Sequence, residues 1–359
     1  MENYSNNKVG IKEIAEIAKV SIGTIDRVLH NRGEVSESTR KLVLRIAEEL
    51  SYTPNLLAKS LSSKKKYTIA ILIPDYKNKN PYWKKPLTGI HVAAKEIQHY
   101  NFNSAVHTFE FGNEKSFLEK SEQVFKSKPN GLIFAPVMYK ASQKVIKKCE
   151  ELNIPYVFFD VNIDKCNNLA YFGQDSEQSG FVAARLMDYG LAPEAEIFII
   201  KLVNKTASTY HLQLRENGFR SYFSSSEKIK KENVQSIEID LSVKGELYVV
   251  LDKIFANKSI SKGLFVANSK VYKIAKYLIE KKIKNTNLIG YDLIDENEKY
   301  LNNGTIRFLI CQNPEDQGYS SVKALFNYLL IKKPVKKFNF SPIDIIIKEN
   351  LLYYKNLKS

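Results

Sequence analysis

The chain has 359 residues, 44% of them hydrophobic and 26% charged, a globular composition spread over a length that exceeds one ordinary core, so two or three compact units are expected. No apolar run approaches the roughly 18 residues of a membrane span, Met1 to Lys12 lacks the apolar stretch of a signal peptide, and Cys149, Cys166 and Cys311 stand far apart without a CxxC, so membrane, disulfide-framework and zinc-site readings are set aside and a cytoplasmic protein is expected. The net charge of +15 does not by itself point to nucleic acid, because residues 1–66 carry 12 Lys and Arg against 8 Asp and Glu and the remaining +11 is spread along the rest.

From Val9 to Leu50 apolar residues recur at three and four: Ile11, Ile14, Ala15 and Ala18, then Ile25, Val28 and Leu29, then Leu42, Val43, Ile46 and Leu50. This spacing predicts three short amphipathic helices, with Ser21 and Ser36 where N-caps belong. Packing Ile25, Val28 and Leu29 inward turns Ile22, Gly23, Asp26 and Arg27 outward at the start of the second helix. YTPNLLAKSL, from Tyr52 to Leu61, reads as a linker with two helical turns at most, too short to be stable alone in water.

After Lys66 the texture changes to β-branched runs alternating with helical stretches: TIAILIP, SAVHTFEF, GLIFAPV, YVFFDV, LAYFG, EIFIIKLV, KGLFVAN and NLIGYD. Strands alternating with helices predict parallel sheets with helices on both faces, more than one such sheet over nearly 300 residues, and ligands bound beyond the carboxyl ends of the strands. The acidic DLIDENE stretch from Asp292 reads as a loop.

The segment Ala15 to Asn55 carries an A-x-x-A-x-V-S-x-x-T-x-x-R-V run, then V-S-x-x-T-R, then Y-x-P-N, and in this it resembles the LacI/GalR repressor family. The resemblance implies a helix-turn-helix head on double-stranded operator DNA. Ser21, Thr24, Ser36 and Thr39 suit phosphate oxygens, Ile22, Gly23, Asp26 and Arg27 face the major groove, and Arg27 reads guanine or holds a phosphate. Two positions depart from the family's usual residues, Asp26 for serine and His30 for asparagine, so the operator sequence does not carry over. The family's linker forms a hinge helix on DNA and wedges a leucine into the minor groove; Leu61 stands at the matching place and Asn55 closes the Y-x-P-N motif.

Beyond Tyr67 the chain looks like a type I periplasmic-binding-protein fold, as that family's sensor core does. The resemblance implies a small all-α head over 1–51, a hinge over 52–66, and a two-lobed α/β core, one lobe from 67–172 with 312–340 and the other from 173–311 with 341–359. Asp160, Asn268, Asp292 and Gln312 stand at strand ends where this fold places ligand groups. Arg215 lies in RENGFR, similar to the R-x-x-G-F segment of sugar receptors, and Tyr82 and Trp83 fall where ribose-type receptors set aromatics against the ring. Carboxylates, amides and a guanidinium pair with ring hydroxyls while an aromatic face covers C–H surface, so a sugar effector is expected. One departure is Ser269, where the family often has Asp after the asparagine.

Catalysis is not expected: GxxxxGK[ST], HExxH and GxSxG are absent, and His30, His91, His99, His107 and His211 show no pairing suggestive of a base. The expectation is a homodimeric repressor without cofactor, metal or membrane, controlled by a sugar. A sugar-binding receptor without a transcriptional role, or a regulator answering to a purine, stands as the alternative.

Overall fold

The computed structural model describes residues 10–29, 33–50, 52, 65–76, 81–193, 195–203, 210–226, 228–257 and 261–358. The chain divides into two compact units, Met1–Ser63 and Lys64–Ser359. Among the described residues no helix is long and apolar enough to cross a membrane.

Among the described residues the first unit holds three helices, α1 (Ile11–Ala18), α2 (Ile22–Leu29) and α3 (Glu37–Glu49). Their cores are the periodic residues: Ile14, Ala15 and Ala18 meet Ile25 and Val28 and then Val43, Ile46 and Ala47. The chain turns between α1 and α2 at Lys19, in the left-handed region at φ 50°. Both serine caps form. Ser21 Oγ accepts from the Thr24 amide at 3.1 Å and Ser36 Oγ from the Thr39 amide at 3.2 Å, each satisfying one of the free donors of a first turn.

The second unit contains two six-stranded sheets. The first has β1 (Tyr67–Pro74), β2 (Phe102–Phe109), β3 (Gly131–Phe134), β4 (Tyr156–Phe159), β5 (Ala170–Gly173) and β11 (Phe338–Phe340), in the order β11-β5-β4-β3-β1-β2, all parallel. The second has β6 (Glu196–Val203), β7 (Val234–Asp240), β8 (Lys262–Val266), β9 (Thr286–Tyr291), β10 (Phe308–Cys311) and β12 (Asp344–Ile346), in the order β12-β10-β9-β8-β6-β7, with β12 antiparallel. Central strands such as β3 and β4 are buried along their whole length, which is why their sequences are continuous apolar runs rather than alternations.

The chain passes between the two lobes three times, after β5, after β10 and after β11. Gln174 ties these passages together: its Nε2 donates to Cys311 O at 3.1 Å and to Pro342 O at 3.2 Å.

Each lobe carries one very close helix crossing. Helices Ser176–Tyr189 and Tyr210–Ser224 approach where Gly180 faces the Arg215 carbonyl and Gly218 faces the Glu177 carbonyl; a Cβ on either glycine would lie 1.9 or 1.8 Å from that oxygen. Helices Lys84–Ile97 and Pro314–Phe326 repeat this in the other lobe, with Gly89 on Glu315 O at 1.9 Å and Gly318 on Pro86 O at 2.1 Å. The glycine of RENGFR is thus a packing residue that lets the arginine's helix lie against its neighbour.

One reading is corrected. DLIDENE is not a loop: a helix begins at Asp295, and Asp295, Glu296 and Glu298 fill its first turn, where negative charge is favoured by the free backbone amides.

Candidate functional site

In the head, Ile22 is 49% exposed and Gly23, Ser21 and Arg27 are exposed, so α2 presents its N-terminal half to solvent. Thr24, Asp26 and Thr39 are half-buried and Ser36 is exposed; the Ser21 and Ser36 hydroxyls also pair with those of Thr24 and Thr39 at 3.0 and 2.7 Å. The aliphatic stem of Arg27 lies along Gly33, whose φ is 67°. The pKa of Tyr52 is raised by burial first and then by the charge of Asp26. His30, Asn55 and Leu61 lie outside the described residues.

In the core, six of the polar and aromatic residues singled out in the sequence come together at the carboxyl ends of the two sheets. Arg215 is 3% exposed. Its Nη1 donates to Ala267 O at 2.7 Å and its Nη2 to Gln312 Oε1 at 2.7 Å, and the guanidinium carbon lies 3.7 Å from the Tyr291 ring centroid. Gln312 passes the relay on, its Nε2 donating to both Asp292 oxygens at 3.0 and 3.1 Å. On the other lobe the Tyr82 hydroxyl donates to Asp160 Oδ1. Trp83 packs edge-on to Tyr82 and to Phe159, with centroids 5.2 and 6.2 Å apart, and is 4% exposed.

Asp160 and Asp292 occupy matching places. Each follows a central strand of its sheet and each is left-handed, at φ 64° and 66°. A non-glycine residue held there costs roughly 1 kcal/mol or more, so surrounding bonds must hold it. The Asp292 amide donates to Ile310 O at 3.0 Å and the Asp160 amide to Gln317 Oε1 at 3.1 Å. Gln317 also donates to Gln312 O at 2.7 Å, so one side chain links the strand ends of both sheets.

Burial sets the electrostatics. Burial first, then the charge of Asp160, pushes the Asp292 carboxyl up to about 7 against the opposing pull of Arg215 and Gln312. Asp160 is raised by burial and opposed by Tyr82 and Arg215. His211, one turn before Arg215 on the same helix, is pushed down to about 3 by burial and by Arg215, which leaves it neutral. Among the described residues Arg215 Nε and His211 Nδ1 have no hydrogen-bond partner.

Asn268 differs from the rest. Its Nδ2 donates to Leu202 O at 2.7 Å and its Oδ1 accepts from the Lys270 amide at 3.2 Å, so it anchors its own loop. The capping an acid at 269 would supply is taken over by Asn297, which donates to Ser269 O, Tyr291 O and Asp292 O and accepts from the Tyr272 amide. Sequence reasoning missed Gln174, His211, Asn297 and Gln317; only His211, four residues before Arg215, carried a signal.

A helix-turn-helix unit followed by a two-lobed core with buried polar groups at facing strand ends defines a ligand-sensing regulator class. The periplasmic binding protein domain family matches residues 69–333, and the lacI family of bacterial regulatory proteins matches residues 10–55. A solved chain of Bacteroides fragilis assigned to the LacI transcriptional regulators is 33% identical, covering 81% of this chain and all of that one with a TM-score of 0.74. The chain belongs to the lacI family. It is similar to the transcriptional regulator MalR of Streptococcus pneumoniae, 31% identical over 49% of this chain and 52% of the relative, and to catabolite control protein A of Priestia megaterium, 29% over 51% and 52%. The chain thus spans about half the length of the curated relatives it matches. A glucose-galactose binding protein of Geobacillus stearothermophilus shares the core fold at 23% identity and a TM-score of 0.67.

Proposed function

We propose that this protein is a sequence-specific DNA-binding repressor, acting as a homodimer in the cytoplasm, whose operator affinity is set by a sugar held between the core lobes. The observation that carries the reading is the buried relay Arg215–Gln312–Asp292 facing Tyr82 and Asp160 from the other lobe. Two carboxylates, a guanidinium with a spare Nε–H and aromatic rings suit a neutral polyol: hydroxyls donate to Asp160 and Asp292 and accept from Arg215. A free phosphate or carboxylate would meet two acids there. Sugar binding that draws the lobes together gives two states of different ligand affinity, which allosteric control of the head requires.

In the head, Arg27 and the exposed start of α2 enter the major groove, with Ser21, Thr24, Ser36 and Thr39 on phosphates and Leu61 as the minor-groove wedge. One short helix reads too few base pairs for selectivity, so a dimer on a pseudo-palindrome follows. Footprinting of the full chain is expected to show two symmetric half-sites. Arg27→Ala is expected to weaken specific binding by about 1–3 kcal/mol, as one bidentate contact does. A single asymmetric footprint, or an unchanged affinity in the variant, would count against this placement.

A further inference from the structure

Beside the buried relay lies a second, open space of about 170 Å³, lined by Asp160, Asn162, Gln174, Glu177, His211 and Phe340 among others. It belongs to the same unit as the relay and joins it through Asp160, whose Oδ1 receives the Tyr82 hydroxyl on the inner side. Its floor is unsatisfied. Gln174 is 2% exposed, and while its Nε2 ties the lobe passages together its Oε1 accepts from none of the described residues; Asn162 Oδ1 and His211 Nδ1 are likewise buried without a partner among them. Buried acceptors in this condition are rare, because each forfeits its bond to water.

The walls are of two kinds. Asp164, Asp175 and Glu177 line the space with carboxylates. Aromatic rings of the edge strand β11 line it as well: Phe338 and Phe340, 41% and 57% exposed, have nearly parallel planes with centroids 6.1 Å apart, and Phe340 meets Tyr171 edge-on. Two phenylalanines two residues apart on one face of an edge strand leave about half of each ring uncovered, and such a strand invites pairing with another chain unless something covers it. Buried acceptors, carboxylates and apolar rings in one lining match the hydroxyl rim and C–H face of a pyranose ring, and the carboxylates repel an anion.

We infer that this space is an outer subsite for a second sugar residue, so that the effector is a neutral disaccharide or longer saccharide with its terminal ring in the buried relay. The inference rests on the sugar reading above. The two are separated by titrating the full chain calorimetrically with glucose, maltose and cellobiose, galactose and lactose, and xylose and xylobiose. At least one disaccharide is expected to bind 10-fold or more tighter than its monosaccharide. The paired variant Phe338→Ala with Phe340→Ala, whose side chains lie outside the core, is expected to reduce that ratio to about 1, and Glu177→Gln to lower it several-fold. Monosaccharides binding as well as every disaccharide, or a ratio unmoved in the paired variant, overturns the subsite and leaves the sugar reading standing. Binding of no sugar in the panel overturns both.

Discussion

Asp292→Asn is expected to melt higher than the wild type at pH 8 without effector, and at the same time to bind sugar roughly 10- to 100-fold more weakly. Both effects have one origin. The carboxyl is buried and pushed up to about 7 from its ordinary 3.8, so at pH 8 the folded protein holds an anion that burial disfavours. A raised carboxyl pKa contributes stability that is fully present below the unfolded value and is lost as pH rises through the folded one. Wild-type stability should therefore fall between about pH 4 and pH 7, and the asparagine, which does not titrate, removes this slope. Asparagine also tolerates the left-handed backbone at φ 66°. It gives up one of the two bonds from Gln312 Nε2, so the net gain at pH 8 is roughly 1–3 kcal/mol and vanishes near pH 4. Thermal melts at both pH values, with calorimetry beside them, test this. A variant less stable than wild type at pH 8 would mean that the carboxylate is held for the fold and not for a ligand.

Gly180→Ala is expected to cost about 3 kcal/mol or more of stability and to abolish effector binding, far more than a surface alanine does. The new Cβ would stand 1.9 Å from the carbonyl oxygen of Arg215 itself, so the helix that carries the guanidinium must shift. That shift would break the bonds to Ala267 and Gln312, both at 2.7 Å, and part Arg215 from the Tyr291 ring. Gly304→Ala is the control. It is left-handed at φ 76° with nothing within 4 Å of the added carbon, so only the backbone penalty of roughly 1 kcal/mol applies. Urea unfolding of the three proteins measures the difference, and equal destabilisation by the two alanines would contradict the close-crossing account.

The head was legible because its signals are local: apolar spacing and two serine caps all lie within 40 residues of one another. The strand ends were legible for a similar reason, since Asp160, Asp292 and Gln312 each follow an apolar run. What joins them was not. Gln174 and Gln317 are ordinary polar residues in sequence, and their roles arise from strands and passages 137 to 168 positions away. Asn268 looked equivalent to the two aspartates but is occupied by its own loop. The acidic run after Asp292 was misread because charge density hides a helix start, whereas the first turn of a helix is where such charge is most stable.

The most direct test of the account is the operator affinity of the full chain, measured by fluorescence anisotropy with and without the saccharide that calorimetry selects, in the wild type and in Asp292→Asn. The predicted result is a wild-type affinity that changes at least 10-fold on adding saccharide and an Asp292→Asn affinity equal to that of the effector-free wild type under both conditions. A saccharide that fills the core and leaves wild-type operator affinity unchanged would contradict it.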